Sequence, residues 1–150
     1  MSRLKFGEIR QTVLIDASPA AVYAAYVDPK EHAAFTGQSA TGTPRVGRRF
    51  TASDGYIGGR YLELEKGKKI LQEWTTAEWP SGYPPSLLEL KLKAKGRKTE
   101  LIMVHTRVPE EQVEYYAEGW KEYYWTPLRK YFAKGETPVA KVPGVRERGR

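Results

Sequence analysis

Hydrophobic positions change their period along this chain, and the changes divide it into elements. Ile9 to Ile15 is rich in β-branched residues with partial alternation, which predicts a first strand. Asp16-Ala17-Ser18-Pro19 ends it. Ser18 suits a helix N-cap and Pro19 the first helical position, so Ala20 to Val27 is expected as a short helix stopped by Asp28-Pro29. Lys30 to Phe35 adds a second, closed by Thr36-Gly37, and Gly37 to Gly47 is turn-rich without usable periodicity.

Strands then follow closely, as in an antiparallel meander rather than in βαβ units. Arg48 to Ser53 is one, and Asp54-Gly55 is a two-residue hairpin signal after which Tyr56 begins the return. Gly59 to Glu65 alternates Leu62 and Leu64 against Tyr61, Glu63 and Glu65. Lys66-Gly67-Lys68 turns the chain into Lys69 to Ala77, and the proline-rich stretch from Trp79 to Pro85 is excluded from a central strand. Ser86 to Lys93 sets Leu88, Leu90 and Leu92 against Glu89, Lys91 and Lys93. Thr99 to Thr106 pairs with it, and the partner's polarity turns Leu101, Met103 and His105 inward.

Pro109 and Glu110-Glu111 open the last element, with negative charge where a helix N-terminus favours it. Val113, Tyr116, Ala117, Trp120, Tyr124, Leu128 and Tyr131 follow three- and four-residue spacing, a stripe that predicts a long helix facing a sheet. Gly119 is unfavourable inside it and is expected to allow a close approach, and Pro127 is expected to kink it. The fold class is therefore α+β: a curved antiparallel sheet of about six strands around a long C-terminal helix, with two short helices after the first strand.

Composition changes this picture in three places. The 150 residues fit one domain, expected over 1–133, followed by a basic flexible tail over 134–150 that holds Lys134, Lys141, Arg146, Arg148 and Arg150 against Glu136 and Glu147. The net charge of +7 is otherwise scattered over hairpins such as Lys66 to Lys69 and Lys93 to Lys98, which reads as a solvated rim and not as a nucleic-acid stripe. Cysteine is absent, which fits a reducing compartment, and there is neither a signal-peptide pattern nor an apolar run of membrane-spanning length. A cytoplasmic protein without membrane or nucleic-acid partners is the expectation, as monomer or homodimer.

Four Trp and ten Tyr concentrate where they can line one cavity: Trp74 in a strand, Trp79 and Tyr83 in the loop after it, and Trp120, Tyr124 and Tyr131 on the helix. Such rings usually fill a core, yet so many amphipathic ones suit a partly wet cleft. His105 is a candidate acid, base or orienting group, set against the more common role of a satisfied core histidine. His32, in a polar segment, is expected to be exposed, and Glu73 and Glu78 to lie at the surface. No nucleophile elbow, phosphate loop, metal-binding helix or calcium loop is present, so no cofactor, metal or catalytic residue is assigned.

In this order, several short motifs resemble the family of the activator of the heat-shock-protein-90 ATPase, within the START-like or polyketide-cyclase-like superfamily. They are Asp28-Pro29-Lys30-Glu31-His32, Phe35-Thr36-Gly37, Gly47-Arg48-Arg49-Phe50, Asp54-Gly55-Tyr56-Ile57-Gly58-Gly59, Lys69-Ile70-Leu71-Gln72-Glu73-Trp74, Trp79-Pro80, Thr99-Glu100-Leu101, Val108-Pro109 and Gly119-Trp120. The resemblance implies a helix-grip fold with a cavity between sheet and helix, near Trp74, Met103, His105, Trp120 and Tyr124. Together with Trp79, these are the expected ligand-binding residues for a hydrophobic or aromatic small molecule. The family also implies a chaperone partner, although the eukaryotic co-chaperone it resembles has two domains and this chain has room for the C-terminal type alone. A cyclase or hydrolase using His105 and a pocket tyrosine is the third reading.

Overall fold

The computed structural model describes residues 4–133, so the expected tail over 134–150 lies outside the described residues. Its elements are β1 (Phe6–Ile15), α1 (Pro19–Val27), α2 (Pro29–Thr36), β2 (Thr41–Gly42), β3 (Arg49–Ala52), β4 (Ile57–Glu65), β5 (Lys69–Thr76), β6 (Ser86–Lys95) and β7 (Lys98–Pro109). A C-terminal helical run follows: a 3-10 turn Glu110–Gln112, α3 (Val113–Trp120), a π turn Lys121–Trp125 and α4 (Thr126–Ala133). The seven strands form one antiparallel sheet in the order β1-β7-β6-β5-β4-β3-β2.

Local chemistry sets the short helices as expected. Ser18 Oγ accepts from the Ala21 N–H at 3.2 Å, and Asp28 Oδ1 accepts from the Lys30 N–H at 2.9 Å. Gly37 closes α2 at φ +80°. The strand alternation also holds, since Leu88, Leu90, Leu92, Leu101, Met103 and His105 are all buried on the concave face.

Several expectations are corrected. The seventh strand, β2, is two residues long and pairs with β3, too short to show a period. The link from β3 to β4 is not a two-residue hairpin: Ala52 pairs with Ile57, and Ser53, Asp54 and Gly55 all take positive φ. Asp54 holds this turn, accepting from the Ser39 N–H at 2.7 Å and donating its own N–H to the Ser39 carbonyl at 3.1 Å. In β4 the register shifts between Tyr61 and Glu63, so Leu62 is an extra residue. Tyr61 and Leu64 thereby share the inner face, opposite Gln72 and Ile70.

The C-terminal run departs from a uniform helix where Pro127 lacks an N–H and its ring crowds the carbonyl four residues back. The chain answers with the wide turn Lys121–Trp125. Because that turn opens the spacing, Tyr124 and its neighbour Trp125 are both buried, and Trp125 stacks on Trp120 at 5.3 Å and 15°. Gln11 of β1 clamps this point. Its Nε2 donates to the Ala117 carbonyl at 2.9 Å, where the Lys121 N–H bonds to Glu118 instead, and its Oε1 accepts from Trp125 Nε1 at 2.6 Å.

Candidate functional site

Trp74 is the hub between sheet and helix. Its ring meets His105 edge-on at 4.7 Å and Tyr116 at 5.2 Å, and lies 5.6 Å from Trp120, which in turn contacts Tyr124 at 4.8 Å. Two buried polar chains fix these rings. Trp120 Nε1–H donates to His105 Nδ1 at 3.1 Å, which leaves the proton of the neutral imidazole on Nε2, facing Ser86 Oγ at 2.8 Å. Ser86 then donates to the Trp74 carbonyl at 2.6 Å. Burial pushes the pKa of His105 down to about 3, so the ring stays neutral and acts as a strut.

The second chain overturns the expected exposure of His32. That ring is 6% exposed, its Nδ1–H donating to the Tyr26 carbonyl at 2.8 Å and its Nε2 accepting from the Tyr124 hydroxyl at 2.8 Å. Burial lowers its pKa and raises that of Tyr124. Tyr26 extends the chain by donating to Gln72 Oε1 at 3.1 Å. A polar segment thus turns its histidine into the core because the helical run supplies a donor there.

Above these rings lies a cleft of about 370 Å³. One wall is the helical run from Tyr115 to Tyr124, which brings its aromatic rings, Gly119, Glu118 and Glu122 to the cleft; the opposite wall is the β3–β4 turn with Ser53, Tyr56 and Ile57, and Trp74 and Gln38 complete it. Of the residues expected at the site, Trp74, Trp120 and Tyr124 line the cleft. Trp79 stands behind Tyr116, stacked on it at 6.0 Å and 22°, with its Nε1–H donated to the Pro84 carbonyl at 3.1 Å. Met103 and His105 lie beneath, both 0% exposed. Glu73 points away and pairs with Arg60 at 3.2 Å, while exposed Glu78 accepts from the Tyr56 hydroxyl.

Gly119 does not serve the close approach expected of it. A Cβ there would meet only Tyr123 Cδ2, at 3.9 Å, so the glycine leaves a gap in the helix surface instead. Tyr115, Gly119 and Tyr123 form one row at four-residue spacing, beside the inner row of Tyr116, Trp120 and Tyr124. Both outer tyrosines are exposed, at 63% and 59%. Attention to the buried stripe overlooks this second row, although its spacing is legible. Among the described residues no group of three or more His, Cys, Asp and Glu is placed to hold a metal, and no helix is long and apolar enough to cross a membrane.

Comparison with known proteins agrees with this architecture. A human activator of the 90 kDa heat shock protein ATPase is 28% identical over 127 residues, and a Dictyostelium discoideum homologue is 30% identical over 105. The alignments cover 85% and 69% of this chain but only 37% and 27% of those relatives, so the chain spans about a third of their length. Among solved structures, an HSP90 activator from Plasmodium falciparum superposes with a TM-score of 0.76 at 20% identity, covering 84% of this chain and 96% of that one. CalU16 from Micromonospora echinospora gives 0.70 at 22% identity, covering 89% and 87%. These two likenesses concern the fold. The model for "Activator of Hsp90 ATPase homolog 1-like protein" matches residues 16–133, nearly the whole described chain, and the protein belongs to that family.

Proposed function

We propose that this protein binds an apolar or aromatic small molecule in the cleft between the sheet and the C-terminal helical run, without covalent chemistry. The observation that supports it most is Gly119. A helix interior that tolerates a glycine at a cost of about 1 kcal/mol, with no steric need for one, keeps open a gap floored by aromatic rings. The buried histidines, each with both nitrogens engaged, serve to orient those rings. The test is tryptophan fluorescence and thermal shift against lipids and aromatic polyketides, for the native protein and for Gly119→Leu. Stabilisation of the native protein that Gly119→Leu abolishes supports the reading, and no stabilisation by any compound counts against it.

A second reading, stimulation of a heat-shock-protein-90-type ATPase, is favoured by family membership and by the names of the relatives. Its measurement is the chaperone's ATP turnover with and without this protein. Unchanged turnover together with no complex at low salt would remove it.

A further inference from the structure

The cleft differs in charge from the rest of the molecule. In a chain of net charge +7, its lining contains no lysine or arginine, and the charged side chains that reach it are Glu118 and Glu122. Both are exposed, stand four residues apart on the same helical run, and take part in no ion pair among the described residues. They form another row beside Tyr115, Gly119 and Tyr123, on the side away from the inner row of Tyr116, Trp120 and Tyr124, and Trp120 and Trp74 lie at the floor of the cleft.

Each of these groups favours the same partner. Aromatic faces carry negative quadrupole density and attract a cation lying over them, while a cleft with low-dielectric walls focuses the field of its carboxylates. An anionic ligand would meet two carboxylates with no counter-charge in the lining. A neutral apolar ligand would fill the floor and leave the carboxylates idle.

We infer that the ligand of this cleft is an organic cation, an amine or quaternary ammonium on an apolar body, with the body over Trp74 and Trp120 and the charge at the rim between Tyr115, Tyr123, Glu118 and Glu122. This rests on the small-molecule reading above and names the ligand's class.

The experiment uses three probes that share a ten-carbon tail, each below its micelle concentration: decyltrimethylammonium, a decyl glucoside and decyl sulfate. Binding is read by tryptophan fluorescence in the native protein, in Glu118→Gln/Glu122→Gln, and in Gly119→Leu as the blocked-cleft control. The cation is expected to bind about tenfold tighter than the neutral probe. That ratio should fall several-fold in the double glutamine variant and on raising the salt, and all cleft binding should be lost in Gly119→Leu. Equal binding of cation and glucoside, both lost in Gly119→Leu, overturns the cationic class while leaving the small-molecule reading intact. Tighter cleft binding of decyl sulfate does the same. Binding that survives Gly119→Leu, or no binding of any probe, defeats both.

Discussion

At the scale of single residues, the two histidines show how burial decides chemistry. The unfolded chain takes up a proton at each imidazole near pH 6.5, whereas folded His105 resists until about pH 3 and His32 is shifted the same way. The folded state is therefore favoured above pH 6.5, and that advantage is lost as pH falls from 6.5 toward 3. From pH 7 to pH 5, His105 alone is expected to cost about 2 kcal/mol, measurable as a shift in urea midpoint. His105→Gln should flatten this dependence, and an unaltered slope would show that the imidazole is not the cause. The ring's inward parity was legible from the alternation Leu101, Met103, His105. Its partner Ser86 was not, because they adjoin only through the pairing of β6 with β7.

At the scale of elements, the C-terminal run departs from its ideal in two ways, with separate consequences. Gly119→Ala adds a methyl that touches only Tyr123 at 3.9 Å, so it is expected to stabilise the protein by about 1 kcal/mol, read from chemical denaturation. Loss of stability would instead mean that something crowds this site. The wide turn before Pro127 depends on Gln11. Gln11→Met keeps the bulk but leaves the Ala117 carbonyl and the Trp125 N–H without those partners, and is expected to cost about 1–3 kcal/mol. A cost near zero would show that the clamp is dispensable. Three- and four-residue spacing revealed Trp120 and Tyr124 but passed over Trp125, since a five-residue step enters the core only where the helix widens.

At the scale of the whole molecule, the strands β3, β4 and β5 pack closely at Gly59, which pairs with Phe50 on one side and Trp74 on the other. A Cβ at Gly59 would stand 1.8 Å from the Glu73 carbonyl oxygen and 2.9 Å from the Phe50 ring. Gly59→Ala is therefore expected to force the strands apart and to cost about 3 kcal/mol, seen as a lowered Tm and lost amide protection in β4 and β5. Retained protection there would contradict the packing described. The α+β class, the inner face of β6 and β7 and the aromatic stripe can be read from the residues alone, because each follows from burying one face of a periodic segment, and the starts of α1 and α2 can be read from their local capping chemistry. That Leu62 bulges, that His32 is buried against a tyrosine 92 residues away, and that Tyr115, Gly119 and Tyr123 line a cleft emerges only once the elements are packed together. Each of those depends on what stands opposite, and a segment's own periodicity holds no record of its distant partner.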